Sequence, residues 1–261
     1  MIFSDLTLFF YVAALAFALI YGGFRKPALF YAAYGGALAG YGVQTWVLMA
    51  AWLSRRTPPA TNLHELFILT AWAMVTIYLV LYPLTRSKIL VFFLMPLVTL
   101  SYLAGMLVPD VAVEPKPYYF TPWFAIHIFL LVFGMAFFFL SFLYASIFIM
   151  QDHSLRHRRA PSPLSIPSLE EAERWSARLL LAGYPLFSVG MFSSILYGIL
   201  YGNSKDWHPG LLEGASLLAW LVLGVAGYGW LTAKVHPRKR SWLVVAGAAF
   251  SILIILGIIW H

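Results

Sequence analysis

The seven histidines of this 261-residue chain are its best candidates for holding a transition metal, because cysteine is absent. Without thiols there is no disulfide, no thiolate metal site and no dithiol redox cycle. A metal would have to be held by histidine, methionine, tyrosine or carboxylate. Imidazole nitrogen serves zinc, copper and haem iron alike. A compact zinc site carries a short signature such as His-Glu-x-x-His, which does not occur here. Ligands drawn from separate helices suit a flat haem better, since its axial groups approach from opposite faces. There is no Ser-His-Asp set, phosphate-binding glycine loop or dinucleotide fingerprint. Hydrolytic and nucleotide chemistry therefore have no support, and no catalytic residue is assigned.

The elements that position these histidines follow from composition. Hydrophobic residues make up 62% of the chain and charged residues 10%, and mean hydropathy is +0.82. A soluble domain has about 25% charged residues, so that class is excluded. Ten Trp, fifteen Tyr and twenty-one Phe exclude disorder as well. About 20 apolar residues cross the roughly 30 Å hydrocarbon layer as a helix, because only internal hydrogen bonding satisfies a backbone there. Eight stretches qualify, at 6–24, 27–53, 64–84, 89–108, 123–150, 178–201, 212–233 and 241–260. The first begins with Asp5 instead of a basic region, so it reads as a span and not a signal peptide. The expectation is an all-α polytopic membrane helix bundle. It forms one integral membrane domain with about eight transmembrane helices and its longest loop at 151–177.

Charge orients the bundle. One set of loops carries thirteen of the seventeen Lys and Arg residues, while the other carries only Arg55, Arg56, Lys116 and Lys205. The positive-inside rule makes the first set cytoplasmic and puts both termini on the outer side. The net charge of +7 is thus an orientation signal and not a nucleic-acid surface. His153, His157 and His236 fall among cytoplasmic basic residues, as solvated loop histidines. His64, His127, His208 and His261 fall on the outer side, accompanied by Glu65 and Glu213. A carboxylate facing hydrocarbon costs roughly 2.5–3.5 kcal/mol at the bilayer centre. Each of these two should therefore cap its helix or orient a neighbouring imidazole.

Other features read as structural. The basic half of the 151–177 loop suits anionic lipid head groups. Ser168 with Glu171 is a capping-box signature, which predicts a short amphipathic helix leading into the sixth span. Small residues recur every fourth position at Ala28, Ala32, Gly36 and Gly40, and again at Gly190, Ser194, Gly198 and Gly202. Such stripes let helices approach closely in lipid. Pro185 should bend its helix. No strict internal repeat is visible.

Taken in order, these residues resemble the cytochrome c assembly family, haem-handling membrane proteins of the CcsA, CcmC and HemX-like types. Thr61-Asn62-Leu63-His64-Glu65-Leu66, with Trp72 beyond, is similar to the family's Ser-Asn-Leu-Tyr-Glu-Ser segment. Trp123 to His127 is similar to its outer-side histidine helix, with Tyr144 and Gln151 at the helix exit. Glu213 and Trp220 match a second helix in spacing. Arg238-Lys239-Arg240-Ser241-Trp242 precedes a last span ending in His261, as a basic turn does in the family. The resemblance covers most of residues 60–261.

The resemblance implies that His127 and His261 are axial ligands of haem b, with His64 and His208 as further candidates. The loop between the sixth and seventh spans should face the porphyrin with Trp207 and His208, and Glu213 stands beside it. Arg55 or Arg56 would pair with the propionates. The sequence departs from the tryptophan-rich platform of CcsA and CcmC, since its loop holds one Trp and one Asp, and Trp230 stands near where the family carries a membrane-embedded histidine. It resembles the HemX-like branch more than a complete ligase. The implied role is haem transport or presentation for cytochrome c biogenesis, as a component of a haem lyase system and not a lone enzyme. Its partners would be an assembly protein and apocytochrome c, in the bacterial inner membrane. The alternatives are a HemX-like regulator of haem biosynthesis acting through the long loop, and a small-molecule transporter or structural subunit without haem.

Overall fold

The computed structural model describes residues 2–110, 117–157, 167–201 and 211–259. For 117–118, 197–201, 211–213, 215 and 252–259 only the backbone is described. Among these residues the protein is all helical. The α-helices are α1 (Ile2–Phe24), α2 (Pro27–Arg55), α3 (Leu63–Thr85), α4 (Leu90–Leu107), α5 (Pro122–Arg156), α6 (Leu169–Tyr201), α7 (Leu211–Leu231) and α8 (Pro237–Ile259), with a 3₁₀ turn at Pro117–Phe120. Among the described residues five stretches are long and apolar enough to cross a membrane: α1, α3, α4, α5 and the Leu169–Leu196 part of α6. The protein is a multi-pass membrane protein. α2 has the length, but its glycines, tyrosines and Gln44 dilute its apolar character.

Helix ends follow local chemistry. Pro27 opens α2 at a position where its missing N–H costs nothing. Asn62 caps α3 by accepting from the Glu65 backbone N–H at 2.9 Å. Ser168 and Glu171 form the expected capping box, with Ser168 Oγ accepting from Glu171 N–H at 3.2 Å and Glu171 Oε2 accepting from Ser168 N–H at 3.1 Å. The helix beyond that box is not short. α6 continues unbroken for 33 residues through Pro185. Its first turns are held by the Glu170–Arg174 pair and by Arg178 over the Trp175 ring, so the 151–177 loop contracts from both sides. Arg25, Arg56 and Arg86 take the left-handed conformation just past α1, α2 and α3, with φ of 55°, 57° and 49°. Glycine is the usual occupant of such a C-terminal position.

The chain divides into two compact units, the first built from α1 to α4 and closing at Ala125, the second from the rest of α5 to α8. In the first, Gly36 and Gly40 of α2 lie against Ala14 and Tyr11 of α1, as the small-residue stripe predicts. Buried Gln44 ties three helices together. Its Oε1 accepts from the Tyr11 hydroxyl at 2.5 Å and its Nε2 donates to the Ile68 carbonyl at 2.7 Å. In the second unit, Phe138, Leu180, Phe187, Leu223 and Val244 form the core. Gly134 of α5 and Gly183 of α6 let the two backbones meet, so that a Cβ at either would fall within 3.0 Å of the opposing helix.

Candidate functional site

His127 lies five residues into α5, and the close α5–α6 contact brings its ring to α6. Its Nδ1 is 2.9 Å from the Gly190 carbonyl oxygen and 2.9 Å from Ser193 Oγ. A carbonyl only accepts, so Nδ1 carries the proton. The Ser193 hydroxyl donates to the same carbonyl at 2.7 Å and is itself buried. With Nδ1 committed as donor, the neutral ring keeps its lone pair on Nε2. A hydrogen bond of this kind fixes the tautomer and orientation of an imidazole. The sequence alone names His127. Gly190 and Ser193 escape it, although Gly190 sits in the small-residue stripe.

His64 is fixed in the same manner within the first unit. Its Nδ1 lies 2.7 Å from the Gly105 carbonyl and 3.3 Å from that of Val108, both at the end of α4. Nδ1 is again the donor, since both partners are carbonyls. Glu65 does not orient this ring. It is buried, accepts from Thr61 N–H and Thr61 Oγ1 at 2.8 Å each, and pairs with Arg55. Asn62 is the cap of α3, and the Glu65 carboxylate in its first turn ties Thr61 and Arg55 to that end of the helix. Asn62 extends the cluster by donating to Asp110 at 2.8 Å.

Arg55 is thus held by a carboxylate of its own unit, though its side chain is half exposed. Arg56 is exposed at the α2 C-terminus, where its N–H donates to the Trp52 carbonyl at 2.8 Å. Trp207, His208 and His261 lie outside the described residues, as does the side chain of Glu213. Among the described residues no three His, Asp or Glu side chains converge to hold a metal ion.

The far end of the second unit is ionic. A 35-residue helix is about 52 Å long, well beyond a roughly 30 Å hydrocarbon layer, so the last turns of α5 lie past its apolar stretch. There Asp152 binds Arg156 at 2.9 Å and Arg238 at 3.6 Å, and Glu173 of α6 pairs with Arg240 of α8. The Arg156 guanidinium bonded to Asp152, with Arg238 and His236 nearby, holds its carboxyl below the usual aspartate range. Arg156, Arg174, Arg238 and Arg240 are therefore paired with carboxylates of the same unit.

The sequence profile of the family described as "Cytochrome C assembly protein" matches residues 60–261. The chain is also similar to Protein HemX of Brevibacillus brevis, with 25% identity over 251 residues, covering 93% of this chain and 90% of that protein. The family match takes in both His64 and His127, the helices that hold their Nδ1 protons, and the C-terminal His261. The chain belongs to the cytochrome c assembly protein family.

Proposed function

We propose that this protein binds haem b at the His127 end of its second unit and transports or presents it for cytochrome c biogenesis. In this reading eight helices span the bacterial inner membrane and both termini face outward. His127 and His261 would hold the haem iron, and apocytochrome c and an assembly protein are the partners. The observation that carries the proposal is the His127 ring. Its Nδ1–H is committed to the Gly190 carbonyl and Ser193, so Nε2 is the lone pair offered to a metal.

Bound there, the haem supplies the redox and ligand chemistry. The chain's own work is positional: Gly190 and Ser193 set the ring's tautomer and direction, and the α5–α6 contact sets its height. Reducing an apocytochrome falls to a partner, since this chain has no cysteine.

The test is the absorption spectrum of detergent-purified protein beside His127→Ala and His261→Ala. A Soret band in the wild type that weakens or changes ligation in both variants supports the reading. A wild type with no Soret band before or after haem addition, or two variants identical to it, overturns the reading.

A further inference from the structure

One aromatic clip is built twice in this chain. In the first unit Trp72 of α3 stacks on Tyr41 of α2, with ring centroids 5.9 Å apart and planes at 13°. Its Nε1–H donates to Thr45 Oγ1 at 2.8 Å, and the Thr45 hydroxyl donates to the Tyr41 carbonyl at 2.7 Å. In the second unit Trp220 of α7 stacks on Tyr184 of α6 at 5.8 Å and 18°. Its Nε1–H donates to Ser188 Oγ at 2.8 Å, and the Ser188 hydroxyl donates to the Tyr184 carbonyl at 2.7 Å.

The sequence repeats with the geometry. Gly40-Tyr41-x-x-x-Thr45 answers to Gly183-Tyr184-x-x-x-Ser188. Leu63-x-Glu65-x-x-x-Leu69-x-Ala71-Trp72 answers to Leu211-x-Glu213-x-x-x-Leu217-x-Ala219-Trp220. Gly40 and Gly183 both lie where their helix meets an aromatic side chain of the preceding one, Tyr11 and Phe137 respectively.

A stacked ring in series with an N–H···O bond fixes both the rotation and the height of one helix against the next. Sliding a helix by one residue moves it about 1.5 Å, enough to break a 2.8 Å hydrogen bond. The two copies differ in what lies just beyond them. On α6 the next turn after Ser188 holds Gly190 and Ser193, the two groups bonded to His127, and Phe192 packs its edge on Trp220 at 5.5 Å. On α2 the matching positions after Thr45 are Val47 and Ala50, and no histidine is bonded there among the described residues.

We propose that Ser188 and Trp220 are positioning residues for His127. The clip holds α6 at the register in which the Gly190 carbonyl and Ser193 meet the imidazole, while its copy in the first unit joins helices only. The inference rests on His127 as iron ligand, but it has a readout of its own.

Full-length protein labelled with ¹⁵N-histidine is compared as wild type, Ser188→Ala, Trp220→Phe, Ser188→Thr, Thr45→Ala and Trp72→Phe. In haem-free protein the His127 ¹⁵N shifts report the Nδ1–H tautomer, and haem titration reports affinity. Ser188→Ala and Trp220→Phe should move the His127 shifts away from the Nδ1–H form and weaken haem binding about tenfold, as loss of outer-shell support does. Ser188→Thr should retain both, since threonine serves in the first copy. Thr45→Ala and Trp72→Phe should leave the His127 shifts in place. Unchanged His127 shifts in Ser188→Ala and Trp220→Phe overturn the proposal, as do equal changes in the first-unit pair. A wild type that takes up no haem sinks the ligand reading separately, with the haem-free shifts still deciding the role of the clip.

Discussion

Replacing Gly134 by alanine is expected to disconnect His127 from α6 without touching either partner. A Cβ at 134 would lie 2.8 Å from the backbone nitrogen and Cβ of Phe187 and 2.9 Å from its Cα. Ordinary contacts begin at about 3.5 Å. Backbone atoms cannot rotate away as a side-chain tip can, so α5 and α6 must part by about 0.6–0.7 Å. His127 lies two turns from Gly134 on the same face of α5. Its 2.9 Å bond to the Gly190 carbonyl then stretches to about 3.5 Å, the limit at which a hydrogen bond ceases to hold a proton in place. Overpacking of this kind costs about 1–3 kcal/mol, partly offset by up to about 1 kcal/mol from alanine's better helix propensity. The assay is thermal unfolding in detergent, with the haem spectrum and His127 ¹⁵N shifts read alongside. Gly42→Ala is the control, since a Cβ there meets nothing within 4 Å, and it should be neutral or stabilising. A Gly134→Ala protein matching the wild type in midpoint, spectrum and shifts would refute the claim that this contact sets the ring.

Two further substitutions test the packing of the first unit. Gln44→Leu strands the buried Tyr11 hydroxyl and should destabilise by about 1–2 kcal/mol, seen as a lower unfolding midpoint that Gln44→Glu at low pH partly restores. Arg86→Gly should raise the midpoint by about 1 kcal/mol equivalent, because glycine takes the left-handed φ of 49° without the Cβ clash; an unchanged or lower midpoint would count against that reading.

Among the described residues, the helices were legible in the sequence where a long apolar run ends at a Pro or a capping residue, as at Pro27 and at Ser168 with Glu171; α2, diluted by its glycines, tyrosines and Gln44, carries a weaker apolar signal. The continuity of α6 was harder to see. Its first turns are charged like a loop, and only the Glu170–Arg174 pair and the Arg178–Trp175 contact show why they stay helical. The histidines stood out by type and position, but what fixes them is backbone: the carbonyls of Gly190 and Gly105 leave no mark in a side-chain pattern. The duplicated clip was hidden for a related reason. Tyr41 and Tyr184 stand 143 residues apart while Trp72 and Trp220 stand 148 apart, so no single offset aligns both halves of the motif. Arg55 with Glu65 joins the end of one helix to the start of the next, a tie that neither helix announces alone.

The claim that matters most is that His127 offers its Nε2 to haem iron. The direct measurement is the electron paramagnetic resonance spectrum of the ferric haem-loaded protein, taken for wild type and for His127→Gly with and without added imidazole. The wild type should give a low-spin bis-imidazole signal, His127→Gly should turn high spin, and added imidazole should restore the low-spin signal as it enters the vacated space. A low-spin signal in His127→Gly that matches the wild type without imidazole would contradict it.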